Sequence, residues 1–320
     1  MKPRGLLIAN PNATSTSPGM RDVITRALSH EVDLRVVTTT HRGHASDLAS
    51  GAAGLDLLIT LGGDGTINEA VNGLLNSGRS DLPMLATIPG GSANVMARAL
   101  GFPNEAIEAT GMILESLRTA ASHPVGLGNA RFTLVEPGTE QQEQSLWFTI
   151  NAGLGLDAKV IAAMEAQRAA GRQASPTRYV WTATREYFRD EERTSPILTL
   201  ELPGEEPTPG IALLIVQNTA PWTFFGPFPI NPCPRASFDT GLDVFAPHSL
   251  GIPSTVRYGL RMLRGSRAGG VSGQLTALHD VAEFTVRAEV PVSLQLDGDW
   301  IGEVESVRFR AVPRALRIVG

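Results

Sequence analysis

What this chain lacks narrows it first. One cysteine, Cys233, stands between Pro232 and Pro234 in 320 residues, which excludes an internal disulfide framework and any cysteine-rich zinc site. The six histidines show no metal-ligand spacing, so His41 and His44 read as loop residues near a ligand crevice. No Gly-Lys pair occurs anywhere, and the phosphate loop built on that pair is therefore absent. The longest plainly apolar run, Ile211 to Val216, falls far short of a membrane span. Met1-Lys2-Pro3-Arg4 leads straight into a strand-like Gly5 to Ala9, so the expectation is a soluble, unexported, cytoplasmic protein. A net charge of −5 leaves no concentrated basic surface for nucleic acid. Gly90-Gly91-Ser92-Ala93-Asn94 approaches a hydrolase nucleophile elbow, but Asn94 stands where the closing glycine belongs.

What is present begins with alternation. Strand-like Gly5 to Ala9, a helix after Ser17-Pro18, a strand over Val32 to Val37, a helix from Ala45, a buried strand over Leu57 to Leu61 and another over Met84 to Ile88 predict a doubly wound parallel sheet. Beyond about Val125 the texture changes to short alternating runs, such as Glu283 to Arg287, Val292 to Leu296 and Ser306 to Val312. Helices are expected at Lys159 to Gln167, Tyr179 to Arg189 and Ser254 to Leu263, and a surface loop at Gly204 to Gly210. The fold class is α/β plus β. Residues 1–125 form an N-terminal α/β domain, completed by the last residues of the chain, and residues 126–320 form a β-rich second domain.

The most informative segment is Leu61-Gly62-Gly63-Asp64-Gly65-Thr66, followed by Ile67-Asn68-Glu69-Ala70-Val71-Asn72-Gly73. Glycines between a strand and a helix let backbone N–H groups approach an anion at the positive end of that helix. Thr66 and Glu69 stand at capping-box spacing, while Ile67, Ala70, Val71, Leu74 and Leu75 mark a packed face. A carboxylate at such a turn repels bare phosphate unless Mg²⁺ or an acceptor proton lies between them, which makes Asp64 a chemical residue. A second Gly-rich turn, Pro89-Gly90-Gly91-Ser92-Ala93-Asn94, falls at the same edge of the sheet. Ligands of open α/β sheets lie beyond the carboxyl ends of the strands, so both turns, Asn10-Pro11 and Thr38-Thr39-Thr40 are expected to line one crevice. Gly153-Leu154-Gly155 alone reads as a strand bend.

Taken in order, Gly62-Gly63-Asp64-Gly65-Thr66 with Asn68-Glu69 and Asn72-Gly73, Pro89-Gly90-Gly91-Ser92 with Asn94, Asn151-x-Gly153-x-Gly155-x-Asp157-Ala158 and Leu296-Asp297-Gly298-Asp299 resemble the diacylglycerol kinase catalytic family. NAD kinases share the first element and sphingosine kinases a related second turn. The resemblance implies a nucleotide-binding α/β domain, a C-terminal β-sandwich domain, a cleft between them, and transfer of the ATP γ-phosphate to a lipid hydroxyl. Diacylglycerol is the first acceptor implied, giving phosphatidic acid, with a sphingoid base or another lipid next. A relative that binds nucleotide or lipid without catalysis is the non-enzymatic alternative. Gly62, Gly63, Gly65 and Thr66 would cradle phosphates, with Glu69 on the same helix, Gly91, Ser92 and Asn94 on the second turn, and Asn10 and Thr39 at the nucleotide's flank. Asp64 would act through Mg²⁺ carried with ATP or orient the acceptor hydroxyl. Asp299 stands where the family usually has glutamate, in a motif whose carboxylate takes the hydroxyl proton, and Glu303 is its alternative. Thr240 replaces an aspartate that binds a structural Mg²⁺ in relatives, so no such metal is assigned.

A kinase of lipid must also meet a bilayer. Arg257, Arg261, Arg264 and Arg267 form a basic stripe on the third expected helix, beside an apolar stripe of Val256, Leu260 and Leu263. Trp222, Phe224, Phe225 and Phe228 form an aromatic group. Either is a candidate for peripheral contact at the inner face of the membrane, or an ordinary solvated face and a small core beneath a loop. Oligomeric state is open, and a homodimer is compatible with the sequence.

Overall fold

The computed structural model describes residues 2–13, 17–135, 142–170, 176–189, 196–225, 228–265, 270–272 and 274–320. The chain divides into two units, Met1–Gly126 with Arg314–Gly320, and Leu127–Pro313.

In the first unit β1 (Arg4–Ala9), β2 (Asp33–Thr38), β3 (Leu57–Gly62) and β4 (Met84–Pro89) form a parallel sheet in the order β2-β1-β3-β4. Leu57, Leu58, Ile59 and Leu61 are completely buried, as a strand covered on both faces requires. The interleaved helices are α1 (Pro18–Glu31), α2 (His44–Ser50), α3 (Asp64–Leu75), α4 (Val95–Ala99) and α5 (Ala106–Thr119). Ser17 caps α1 by accepting the Met20 amide at 3.3 Å, and Pro18 occupies the first turn, where its missing N–H costs nothing. Helix α3 buries Ile67, Ala70, Val71 and Leu74. A Cβ on Gly73 would lie 2.2 Å from the Ser46 carbonyl, so this glycine allows α3 to pack directly on α2.

The chain crosses between units within β5 (Ser122–Leu134), whose later residues begin the second unit. There follow β6 (Glu143–Phe148), β7 (Asn151–Gly155), α6 (Leu156–Ala169), α7 (Pro176–Arg189), β8 (Leu198–Glu201), β9 (Thr208–Ile211), β10 (Leu213–Gln217), β11 (Thr223–Phe225), β12 (Phe228–Ile230), β13 (Leu242–Pro247), α8 (Ile252–Arg264), β14 (Gly270–Ser272), β15 (Leu275–Val281), β16 (Glu283–Leu296) and β17 (Asp299–Val319). Strands run in the antiparallel order β14-β15-β13-β10-β7-β16-β17, with β5 and β6 against β17 and with β8 and β9 against β16. The N-terminal α/β domain is thus followed by a β domain, as the sequence predicts. Its core is formed by Phe132, Phe148, Leu154, Val216, Val244, Phe284, Leu294, Val307 and Phe309 among others.

Three sequence expectations change here. Glu283 to Arg287 and Val292 to Leu296 are one strand, β16, whose register against β17 shifts between Arg287 and Val292. One half of β16 pairs with β8 and the other with β7, so the irregularity lets a single strand serve two ladders. Gly204 to Gly210 is a loop only as far as Thr208, where β9 pairs with β8. His44 opens α2 instead of lying in a loop, and its Nδ1 meets both the amide and the hydroxyl of Thr40 at 3.1 Å.

Candidate nucleotide-binding site

The two Gly-rich turns leave the carboxyl ends of neighbouring strands β3 and β4, and their glycines are in contact. The Gly90 amide donates to the Gly62 carbonyl at 2.8 Å. A Cβ on Gly91 would stand 2.6 Å from the Gly63 Cα, and one on Gly62 would stand 2.6 Å from the Thr66 hydroxyl. Gly91 is therefore required by turn-to-turn packing, and Gly62 by the Thr66 side chain of its own turn, before any ligand is considered. Gly65 differs: it is exposed, with no atom within 4 Å of where its Cβ would be, at the first turn of α3. Its backbone is open to a ligand.

Asp64 ties the turns together. Its two carboxylate oxygens accept the backbone amides of Val95 and Met96, each at 3.0 Å, at the start of α4. Charge-assisted bonds of this type contribute about 1.5–3 kcal/mol each. Asn94 completes the second turn from a left-handed backbone at φ 48°, which asparagine tolerates better than most residues. Its buried side chain accepts the Gly91 amide at 2.8 Å and donates to the Gly91 carbonyl and the Asn104 side chain, both at 2.9 Å. Asn94 thus shapes the turn, and exposed Ser92 is the side chain the turn presents.

Glu69 corrects the sequence reading. No capping box forms: α3 starts at Asp64 with Gly63 as its cap and without a side-chain cap bond, so Thr66 lies inside the helix. The Glu69 carboxylate instead accepts the amides of Gly43 at 2.8 Å and Ala45 at 3.2 Å, at the beginning of α2. Spacing of i and i+3 in sequence could not reveal this, because the competing donors lie on another helix. The Thr66 hydroxyl accepts from the Asn10 side-chain Nδ2 at 3.1 Å, the Asn10 Oδ1 accepts the Asn12 backbone amide at 2.9 Å, and the Thr39 backbone amide donates to the Ala9 carbonyl at 2.9 Å. Asn10, Thr39, Gly62, Gly63, Asp64, Gly65, Thr66, Glu69, Gly91, Ser92 and Asn94 all belong to the first unit. A group of three or more histidine, cysteine, aspartate or glutamate side chains able to hold a metal is absent among the described residues. The one carboxylate at the turns, Asp64, fits a Mg²⁺ carried on nucleotide phosphates, which needs only one or two carboxylates beside its waters and phosphate oxygens.

Asp299 belongs to the second unit, where it follows a tight hairpin turn between β16 and β17. Asp297 and Gly298 take φ 49° and 83°, the left-handed pair that Asp-Gly favours. The sequence does not disclose what Asp297 does. Its carboxylate accepts the Thr149 amide at 2.7 Å, the Thr149 hydroxyl at 2.8 Å, the Ile150 amide at 2.8 Å and the Asn151 amide at 3.0 Å, which anchors the turn at the entry to β7. Gln295 holds the other side, accepting the Gly298 amide at 2.9 Å while its Nε2 donates to Asn151 and Asp157, both at 2.8 Å. Burial pushes the Asp157 carboxyl up to about 6, opposed by the Gln295 hydrogen bond. Gly153, read from sequence as a strand bend, makes room for that carboxylate: a Cβ there would lie 1.9 Å from Asp157 Oδ2. Glu303 is exposed and pairs through its backbone with Ser293. Thr240 donates to the Ser237 carbonyl at 3.1 Å, and the adjacent Gly241 amide donates to Asp280 at 2.6 Å.

Residues 4–130 match the family described as "Diacylglycerol kinase catalytic domain". A probable lipid kinase YegS-like protein of Chromohalobacter salexigens is 39% identical over 101 residues, covering 31% of this chain and 32% of that protein. A diacylglycerol kinase of Bacillus subtilis is 51% identical over 71 residues, 22% of this chain and 23% of the relative. The matched segments therefore span a third or less of these curated relatives. Across nearly the whole length the fold is similar to the crystal structure of a putative diacylglycerol kinase from Bacillus anthracis, with a TM-score of 0.72 at 22% identity over 99% of this chain and 96% of the other. Yeast NADH kinase complexed with NADH shares the fold more distantly, with a TM-score of 0.53 at 14% identity over 99% and 83%. Over residues 4–130, this chain is similar to the diacylglycerol kinase catalytic-domain family.

Proposed function

We propose that this protein is an ATP-dependent lipid kinase that transfers the γ-phosphate to the hydroxyl of a neutral lipid, diacylglycerol or a close analogue, giving phosphatidic acid. The observation that carries the reading is the Asp64 clamp: one carboxylate fixes two glycine turns at the mouth of the sheet, in the segment that matches the kinase family. Phosphoryl transfer asks chiefly for positioning and charge neutralisation, so a rigid pair of turns is the equipment it needs. The exposed Gly65 backbone and Ser92 hydroxyl are assigned to phosphate oxygens, and Asp64 is the carboxylate that would hold the cation accompanying them. Mg²⁺, when bound with ATP, supplies charge neutralisation at the phosphates. Asp299 is the carboxylate assigned to take the proton of the acceptor hydroxyl, on a turn that Asp297 and Gln295 hold from both sides.

Radiolabelled ATP with mixed micelles of diacylglycerol, sphingosine, ceramide and monoacylglycerol tests the reading, with NAD as a further acceptor. Labelled phosphatidic acid is expected. Labelling of sphingosine alone would move the acceptor to sphingoid bases, labelling of NAD would move it to the nucleotide kinases, and ATP uptake without transfer to any acceptor would leave a binding protein.

A further inference from the structure

Helix α8 turns its apolar residues outward. Ile252, Val256, Leu260 and Leu263 recur at i, i+4, i+8 and i+11, and each is 46–58% exposed, whereas Tyr258 is buried and Met262 packs against the core beneath. Beside the outward stripe stand Arg257 and Arg264, both exposed, and half-buried Arg261. An ordinary surface helix buries its apolar face and exposes its charges; this helix exposes both. Arg267, the last member of the basic stripe read from the sequence, lies outside the described residues.

Neighbouring elements extend the same surface. The Tyr187 hydroxyl at the end of α7 donates to the Leu250 carbonyl at 2.6 Å and meets Thr255 at 3.4 Å, which brings α7 against the start of α8. On α7, Trp181 and Phe188 are 58% and 62% exposed. The Asn231 amide donates to the Met262 carbonyl at 3.1 Å, so the hairpin of β11 and β12 also borders α8, and it carries Phe228 at 64% exposure. Single exposed apolar residues need no explanation, but a cluster from three adjoining elements does.

Charge selects the occupant. Helix α7 carries three arginines against one glutamate, and α8 carries three arginines and no acidic residue. The two helices together hold a net +5 on a chain whose total is −5. A second copy docking through the same patch would set this positive surface against itself, because a twofold interface pairs identical surfaces. Nucleic acid would leave the outward leucines and aromatics facing phosphate. An anionic lipid surface satisfies both halves, taking the apolar stripe into its acyl boundary and the arginines among its headgroups.

We propose that the outward face of α8, with Trp181 and Phe188 of α7 and Phe228 of β12, is the surface by which this protein docks on a bilayer containing anionic phospholipid. The choice of a bilayer rests on the lipid-kinase reading, but docking is measured without catalysis. Cosedimentation with phosphatidylcholine vesicles, with and without phosphatidylglycerol, provides the test. The wild type is expected to bind the phosphatidylglycerol vesicles, to lose that binding at high salt, and to shift its tryptophan emission to the blue; Trp181→Phe should remove most of that shift. Val256→Asp with Leu260→Asp, and separately Arg257→Glu with Arg264→Glu, should each lower partitioning at least about tenfold, with unchanged melting and ATP binding. Equal binding to both vesicle types, or wild-type binding by both double variants, would overturn the proposal, as would a dimer that Leu260→Asp dissolves in a protein that binds no vesicle. Vesicle binding without phosphate transfer to any lipid keeps the docking face and removes the kinase reading. Transfer to micellar lipid without vesicle binding does the reverse.

Discussion

Gln295 donates to the buried Asp157 carboxylate at 2.8 Å and accepts the Gly298 amide at 2.9 Å, so one amide couples a buried charge to the turn before Asp299. The coupling has a defined polarity. An ionised carboxylate only accepts hydrogen bonds, so it draws Nε2 of Gln295 toward itself and leaves Oε1 for Gly298.

Burial raises the Asp157 carboxyl from 3.8 to about 6, which fixes the sign of a stability effect. A carboxyl whose folded value exceeds its unfolded value favours the fold when protonated, and that advantage is lost as pH rises from about 4 through about 6. Asp157→Asn cannot ionise. The stability of the wild type minus that of Asp157→Asn should therefore fall by about 2–3 kcal/mol between pH 4 and pH 8, read from urea unfolding at each pH. A difference independent of pH would show that the carboxyl does not titrate in this window.

Asp297 accepts four hydrogen bonds at 2.7–3.0 Å from Thr149, Ile150 and Asn151. Asp297→Ala leaves those donors without their acceptor and is expected to cost about 2–4 kcal/mol in denaturant unfolding. Asp297→Asn, which keeps one acceptor oxygen, should cost less than the alanine variant.

Gly91→Ala is a test of turn packing. The new methyl would stand 2.6 Å from the Gly63 Cα, where only backbone can yield. The expected result is a loss of stability of about 1–3 kcal/mol together with a large loss of ATP affinity. Gly65→Ala meets open space and should fold with near-normal stability. A reduced ATP affinity in that variant would assign the open Gly65 backbone to the ligand.

Asp299→Asn keeps the shape and removes the base. If Asp299 takes the hydroxyl proton, kcat should fall about 100-fold or more while KM for ATP changes little. A matching fall in Glu303→Gln with full activity in Asp299→Asn would transfer the role.

What the sequence made legible is what is local. The β3 run Leu57 to Leu61, the apolar periodicity of α3, the Ser17-Pro18 helix start and the Asp-Gly hairpin are each decided by neighbours in the chain, and all stand as read. Residues whose roles depend on distant partners were not legible. Asp64 meets amides 31 and 32 positions away, and the partners of Glu69 lie 24 and 26 positions away on a helix it does not belong to. Gln295 and Asp157 are separated by 138 positions. The sequence reads the glycines of both turns as room for a ligand's approach, whereas the close contact of Gly63 with Gly91 depends on a partner 28 positions away. The outward stripe of α8 could be drawn from the sequence, whereas only the structure shows that the stripe is exposed and that α7 and β12 border it.

The central claim is that Asp64 holds the two glycine turns in the form that receives ATP with Mg²⁺. Isothermal titration of ATP into the wild type, with and without Mg²⁺, and into Asp64→Ala and Asp64→Asn, tests it most directly. The account predicts Mg²⁺-dependent uptake of one ATP by the wild type, and at least about tenfold weaker binding in both variants with the folded state retained. Unchanged ATP affinity in folded Asp64→Ala, or no uptake by the wild type, would contradict it.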